Sequence, residues 1–260
     1  MPGVTDTKPG FKKGDMQMNT TGKTSSKQSE ATITTATLIR LAGLSAVLAG
    51  LCFVVVGLFH PVNVPAAVTT ATWVNVHIVA MAMALFGMIG MTGLYARQAE
   101  KIGWTGLLGY GLFGLWLALV MSFSLVEAFI LPGLAMESPA FVAAFLGMFS
   151  GSSGAIDLGA MPVLWDLSGA MFILGPLLFG IATFRARILP RGAAALQAVA
   201  ALLVPLGGLL LPPEYQSFVM VPVGLALIWL GAALFAERRE NAAEGQVDQR
   251  MVVSKPGGVA

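Results

Sequence analysis

Six stretches of the chain are almost uninterruptedly apolar: 36–58, 73–95, 105–131, 161–183, 192–211 and 217–236. Each is about 20 residues or longer, enough at about 1.5 Å per residue to cross about 30 Å of hydrocarbon. Lipid offers the backbone no hydrogen-bond partner, so runs of this length are expected as helices. No alternation of apolar and polar positions suggests a β-barrel. Residues 1–35 are rich in Lys, Thr, Ser and Gly without apolar periodicity, and read as a disordered basic tail. Residues 237–260 read as a second polar, disordered tail, which leaves 36–236 as the membrane domain. Pro212, Pro213 and Glu214 leave a very short turn between the fifth and sixth runs, where a re-entrant hairpin is the competing reading. The first run is longer than the apolar core of a signal peptide, about 7–15 residues, and is expected to be an uncleaved anchor.

Composition agrees. Hydrophobic residues make up 56% and charged residues 11% of the 260, against about 45–50% and about 25% in soluble domains. An ordinary soluble fold and a wholly disordered chain are both excluded. The single cysteine, Cys52, permits neither an intramolecular disulfide nor a thiolate metal site, and reads as a small buried apolar residue.

Charge gives the expected orientation. Ten of the fifteen Lys and Arg residues lie in the two tails and at Arg40. The 96–104 connection holds Arg97 and Lys101, and the 184–191 connection holds Arg185, Arg187 and Arg191. The alternate connections, 59–72, 132–160 and 212–216, hold none. Cytoplasmic loops carry the Lys/Arg excess, so both termini are expected in the cytoplasm, with six transmembrane helices between them. The basic inner face offers contacts to anionic lipid, at about 1 kcal/mol per well-placed cation, although setting topology is its simpler use. No nucleic-acid motif is present, so the expected partner is the lipid bilayer.

Aromatic and small residues fit this frame. Trp73 and Trp165 fall near the expected outer boundary, and Tyr95 and Trp104 near the inner one. Trp116 and Trp229 lie deeper, as packing residues. Gly87, Gly90 and Gly93 in the second run, and Gly50 and Gly57 in the first, predict close helix approach within one chain. Pro176, Pro205 and Pro222 are expected to kink the last three spans.

Polar groups are costly inside such a bundle, at about 2.5–3.5 kcal/mol for a central charge. Three ionisable residues lie within the runs away from the basic ends: His77, Glu127 and Asp166. Counted from the outer ends of their runs, each lies about 6–8 Å deep. His60 ends the first run, Asn75 is close to His77, and Ser124 is one turn before Glu127. An imidazole between two carboxylates suits proton transfer, cation binding, divalent-metal ligation or a buried hydrogen-bond network. At this shallow depth a hydrated structural cluster competes equally. His60 and His77 are the only histidines and lie on one side, so a haem chain across the membrane lacks an inner axial ligand. No HExxH, nucleophile elbow or phosphate loop is present, and no catalytic residue is assigned. In 132–160, Ser138 and Pro139 begin an apolar stretch, 140–149, too short to span. It is expected at the outer interface, as a passive helix or as a lid over the cluster.

His60-Pro61, Trp73-x3-His77, Gly93-Leu94-Tyr95-Ala96-Arg97-Gln98 and Glu127-Ala128-Phe129-x2-Pro132 together resemble an uncharacterised bacterial six-helix integral membrane protein family. The resemblance covers mainly spans one to three, implies a bacterial cytoplasmic (inner) membrane, and implies no known activity. It singles out His77 and Glu127. The expectation is therefore an all-α, polytopic membrane helix bundle with an outward-facing polar cluster that binds or transports a proton, cation or small solute. A structural or accessory membrane subunit is the alternative, and a metal-dependent membrane enzyme the least supported reading.

Overall fold

The computed structural model describes Gly3 and residues 34–152 and 154–236. The regions read as tails therefore lie almost wholly outside the described residues. The described chain is all-α: α1 (Thr35–Phe59), α2 (Ala71–Leu125), a π turn (Val126–Ile130), α3 (Leu131–Glu137), α4 (Pro139–Met148), α5 (Met161–Ala186) and α6 (Arg191–Leu210). A 3-10 stretch over Pro213–Val219 then runs into a last helix, α7, at 220–236. Five helical elements are long and apolar enough to cross a membrane: Thr35–Phe59, Ala71–Glu137, Met161–Ala186, Arg191–Leu210 and Pro213–Ala236. The re-entrant reading of the last two runs has no support in these lengths.

The longest element would measure about 100 Å if straight. It is not straight. Gly103 has φ 66° and ψ −173°, a region open essentially to glycine alone. The arms on either side, 71–102 and 104–125, fold back on each other. Tyr95 stacks on Tyr110 with centroids 4.8 Å apart. The Thr92 and Tyr110 hydroxyls share a hydrogen bond of 3.0 Å. A Cβ on Gly87 would meet Leu117. The expected 96–104 loop is thus corrected. Helix continues through Arg97, Gln98, Glu100 and Lys101, and the reversal takes place at one residue. Those side chains are good helix formers, and their polarity marks an aqueous boundary rather than a break in the helix. The third expected run, 105–131, likewise continues through the π turn and α3 to Glu137.

Small residues set the helix contacts, as expected where lipid offers no hydrophobic drive between helices. Gly43, Gly50 and Gly57 of α1 are seven residues apart, as are Ser217, Gly224 and Gly231 of the last element. The two series meet antiparallel. A Cβ on Gly50 would lie 2.5 Å from the Gly224 carbonyl oxygen, and one on Gly43 would lie 3.0 Å from that of Gly231. The Ser217 hydroxyl donates to the Gly57 carbonyl at 3.0 Å. Gly90 and Gly93 face Ala46 and Ala42 across α1 and the first arm. Gly109 and Gly175 seat the second arm on α5, and Gly180 seats α5 on Ala194 and Ala198 of α6. Trp229 of α7 packs on Gly192 of α6 and is otherwise half-exposed. Each helix is thereby joined to the next, and α7 returns to α1.

Within the bundle Phe53, Phe113, Trp116 and Phe172 stack on one another, with Trp116 and Phe172 centroids 4.1 Å apart. Outward faces carry exposed Leu, Ile, Val and Phe, including Leu85, Leu115, Leu174 and Leu225. This apolar exterior suits lipid contact. The helix pairings also sort the ends. The start of α1, the Gly103 bend, the α5–α6 turn and the end of α7 share one end, with Arg40, Arg97, Lys101, Arg185, Arg187 and Arg191. His60, the π turn and the 3-10 stretch share the other.

Candidate functional site

His77 and Glu127 are brought together by the hairpin. His77 Nε2 lies 3.3 Å from Glu127 Oε2, with the two side chains 2% and 9% exposed. His77 Nδ1 is 2.7 Å from the Trp73 carbonyl. A carbonyl only accepts, so Nδ1 carries a proton and Nε2 is the nitrogen left to gain or lose one. The Nε2–Oε2 approach is an ion-pair contact rather than a well-aligned hydrogen bond.

The backbone under Glu127 explains its position. The Leu131 amide bonds the Val126 carbonyl, five residues back, in the π turn. Pro132 has no N–H to offer the Glu127 carbonyl. That carbonyl instead accepts a hydrogen bond of 2.9 Å from Trp73 Nε1, across the hairpin. A π turn is a single-turn irregularity that recurs at functional positions. Here it lets one arm accept a side-chain donor from the other. Trp73 is fully buried and joined to both members of the pair, rather than an anchor at the lipid–water boundary as expected. Trp104, 85% exposed beside the bend, does suit such an anchor.

His60 packs edge-on against His77, with centroids 5.1 Å apart, and lies 6.2 Å from Trp73. Its Nδ1–H donates to the Pro61 carbonyl at 2.8 Å. Burial pushes the His60 pKa down and nearby His77 adds to this, while Glu127 and the Pro61 carbonyl act the other way. The two imidazole rings touch, so no porphyrin fits between them as axial ligands.

The remaining expected members divide. Ser124 is buried one turn from Glu127. Asn75 is exposed, two residues from His77 and so on another face of the helix. Asp166 is also exposed and makes no hydrogen bond or ion pair among the described residues. The geometry therefore leaves it outside the contact formed by His77 and Glu127. Among the described residues no group of three His, Cys, Asp or Glu is arranged to hold a metal.

Helix α4 covers this end of the bundle. Its Val142, Phe145, Leu146 and Met148 are buried in one cluster with Val68, Trp73, Phe123 and Leu131. The helix starts at Pro139, but the Ser138 side chain does not cap it. Gly151 and Ser152 follow it, and Ser153 lies outside the described residues.

A second polar group escaped sequence reasoning. Gln98 Nε2 donates to Thr183 Oγ1 at 3.0 Å, and Gln98, Thr183 and Gln197 are all buried. None is ionisable, and Gln98 falls in a stretch taken for a loop. Gln197 is nevertheless the only Gln, Asn or charged residue in 192–211, which was a readable signal.

No protein-family model, curated protein or solved structure matches the chain. Its several long apolar helices are those of a polytopic membrane protein.

Proposed function

We propose that the chain binds or moves a proton, a cation or a small solute through an outward-facing polar site built on His77 and Glu127. The carrying observation is the 3.3 Å approach of two buried titratable side chains from the two arms of one bent helix. Intramembrane ionisable groups that face a bundle interior are functional candidates by default. Nδ1 of His77 is engaged by the Trp73 carbonyl, so exchange runs through Nε2. A cation arriving at the Glu127 carboxylate would repel a proton on Nε2 and expel it to water, and cation departure would let the proton return. Proton and cation would thus compete for one position. On this reading His60, in contact with His77, would pass the proton outward, Ser124 would support Glu127 from one turn away, and Asn75 and Asp166 would act only as outer polar groups.

The orientation belongs to the same reading. With Gly103 as a turn, the five long elements make six crossings, and both tails lie in the cytoplasm of a bacterial cell. The confinement of all fifteen Lys and Arg residues to the tails, their boundaries and two connections supports this.

Proteoliposomes containing the full chain test the site. A pH-sensitive dye inside them is expected to report proton movement when a sodium or potassium gradient is imposed. His77→Gln and Glu127→Gln are each expected to lower that flux at least tenfold while the protein remains folded. Flux unchanged in both variants rejects the reading. The accessory-subunit alternative has its own support in the Trp73–Glu127 hydrogen bond, which ties the two arms together. It gains if the native protein passes nothing and the variants only lower the unfolding temperature.

A further inference from the structure

Gln197 is completely buried, and neither Oε1 nor Nε2 of its amide has a hydrogen-bond partner among the described residues. Gln98 Oε1 is in the same condition, although its Nε2 donates to Thr183. Buried polar groups are seldom left unpaired, least of all in a membrane bundle. Three such atoms therefore require an occupant.

Their placement is shared. Gly180 of α5 packs so closely on α6 that a Cβ there would lie 2.8 Å from the Ala194 carbonyl and 2.7 Å from the Ala198 amide. α5 and α6 run antiparallel, so Gln197, between Ala194 and Ala198, stands at the level of Gly180, and Thr183 lies one turn nearer the Gly103 end. Gln98 reaches Thr183 from the first arm of α2. The three residues thus occupy the Gly103 end of the bundle, about 30 Å along the helix from His77.

The unpaired atoms define the chemistry of the occupant. Two are acceptors and one is a donor. A bare cation leaves the amide donor unanswered, and a simple anion leaves the two carbonyl oxygens unanswered. A neutral molecule able both to donate and to accept answers all three. Ala193, Ala194, Ala200 and Ala201 are buried around Gln197 on α6, and the Gly180 contact leaves no room for a bulky group. We infer that Gln98, Thr183 and Gln197 form an internal hydration site that holds water between the first arm of α2, α5 and α6. Two to four polar partners are the usual requirement of a buried water, and the three unpaired atoms meet it. The site does not depend on any role of His77 or Glu127.

X-ray radiolysis of the full chain in lipid nanodiscs, in water enriched in oxygen-18, tests the inference. Bound water is activated in place and labels the side chains beside it. Peptides containing residues 183 and 197 are expected to carry the isotope above the level of the buried stretch around Phe53. Gln197→Leu and Thr183→Val are each expected to lower that labelling several-fold, with a cooperative unfolding transition confirming that the variants are folded. Labelling no higher than around Phe53 in the native protein overturns the site, as does labelling unchanged in both variants. If Gln197→Leu does not fold, Thr183→Val alone decides between the same two outcomes.

Discussion

The two ends of the bundle handle buried polarity in opposite ways. At the His60 end, titratable groups face each other, and the Glu127 carbonyl in the π turn receives an indole donor. At the Gly103 end, neutral amides are buried with hydrogen-bonding capacity left over. Between them lies the stack of Phe53, Phe113, Trp116 and Phe172. A charged pair must be matched within the protein, because an unmatched buried charge costs several kcal/mol. A neutral amide costs less and can be completed by water.

The largest expected effect comes from separating the pair. His77→Leu leaves Glu127 buried without a partner and is expected to cost about 3–5 kcal/mol, the usual penalty for removing one member of a buried pair. Adding Glu127→Met is expected to recover part of that loss, read as a favourable coupling in a double-mutant cycle of unfolding in mixed micelles. Strict additivity would mean that the two side chains do not interact. Trp73→Phe comes next. It keeps the ring and removes the donor, and is expected to cost about 1–2 kcal/mol by the same assay, since the Glu127 carbonyl then lacks a donor. Thr183→Val should cost less, about 0.6 kcal/mol, the average for side-chain hydrogen bonds between membrane helices. A larger loss from Thr183→Val than from Trp73→Phe would reverse the contrast between the two ends.

The smallest effect concerns pH. The folded pKa of His60 lies below its unfolded value, so between the two the unfolded chain binds more protons. Stability should therefore fall as pH drops through about 6.5 toward the folded value. The groups facing His60 are His77, which strengthens the shift, and Glu127, which opposes it. Thermal unfolding measured between about pH 7 and about pH 5 is expected to show this slope, and His60→Gln to reduce it. An equal slope in the variant would assign the dependence to other groups.

Continuous apolar runs made the helices legible, because length and hydrophobicity suffice to require a helix in lipid. Depth was legible too, by counting residues from a boundary, and it placed His77 and Glu127 at one level. Rotation about the helix axis was not. Asp166 matches the others in depth yet turns to an exposed face. The tautomer of His77 leaves no mark in residue type, since it follows from the Trp73 carbonyl one turn back, whereas Pro132 is a residue-type sign of the irregular backbone at Glu127. The glycine heptads of α1 and α7 were readable, although only Gly50 and Gly57 drew notice. Of the buried amides, Gln197 is readable as the lone polar residue of its run, whereas Gln98 stands among charged neighbours that hide its burial.

Gly103 has a consequence for how the protein is made. One residue reverses the chain, so both arms of the hairpin can leave the ribosome and enter the bilayer as a unit. His77, Glu127 and the Trp73 indole that joins the two arms all lie within that unit, so none of these contacts draws on α5, α6 or α7.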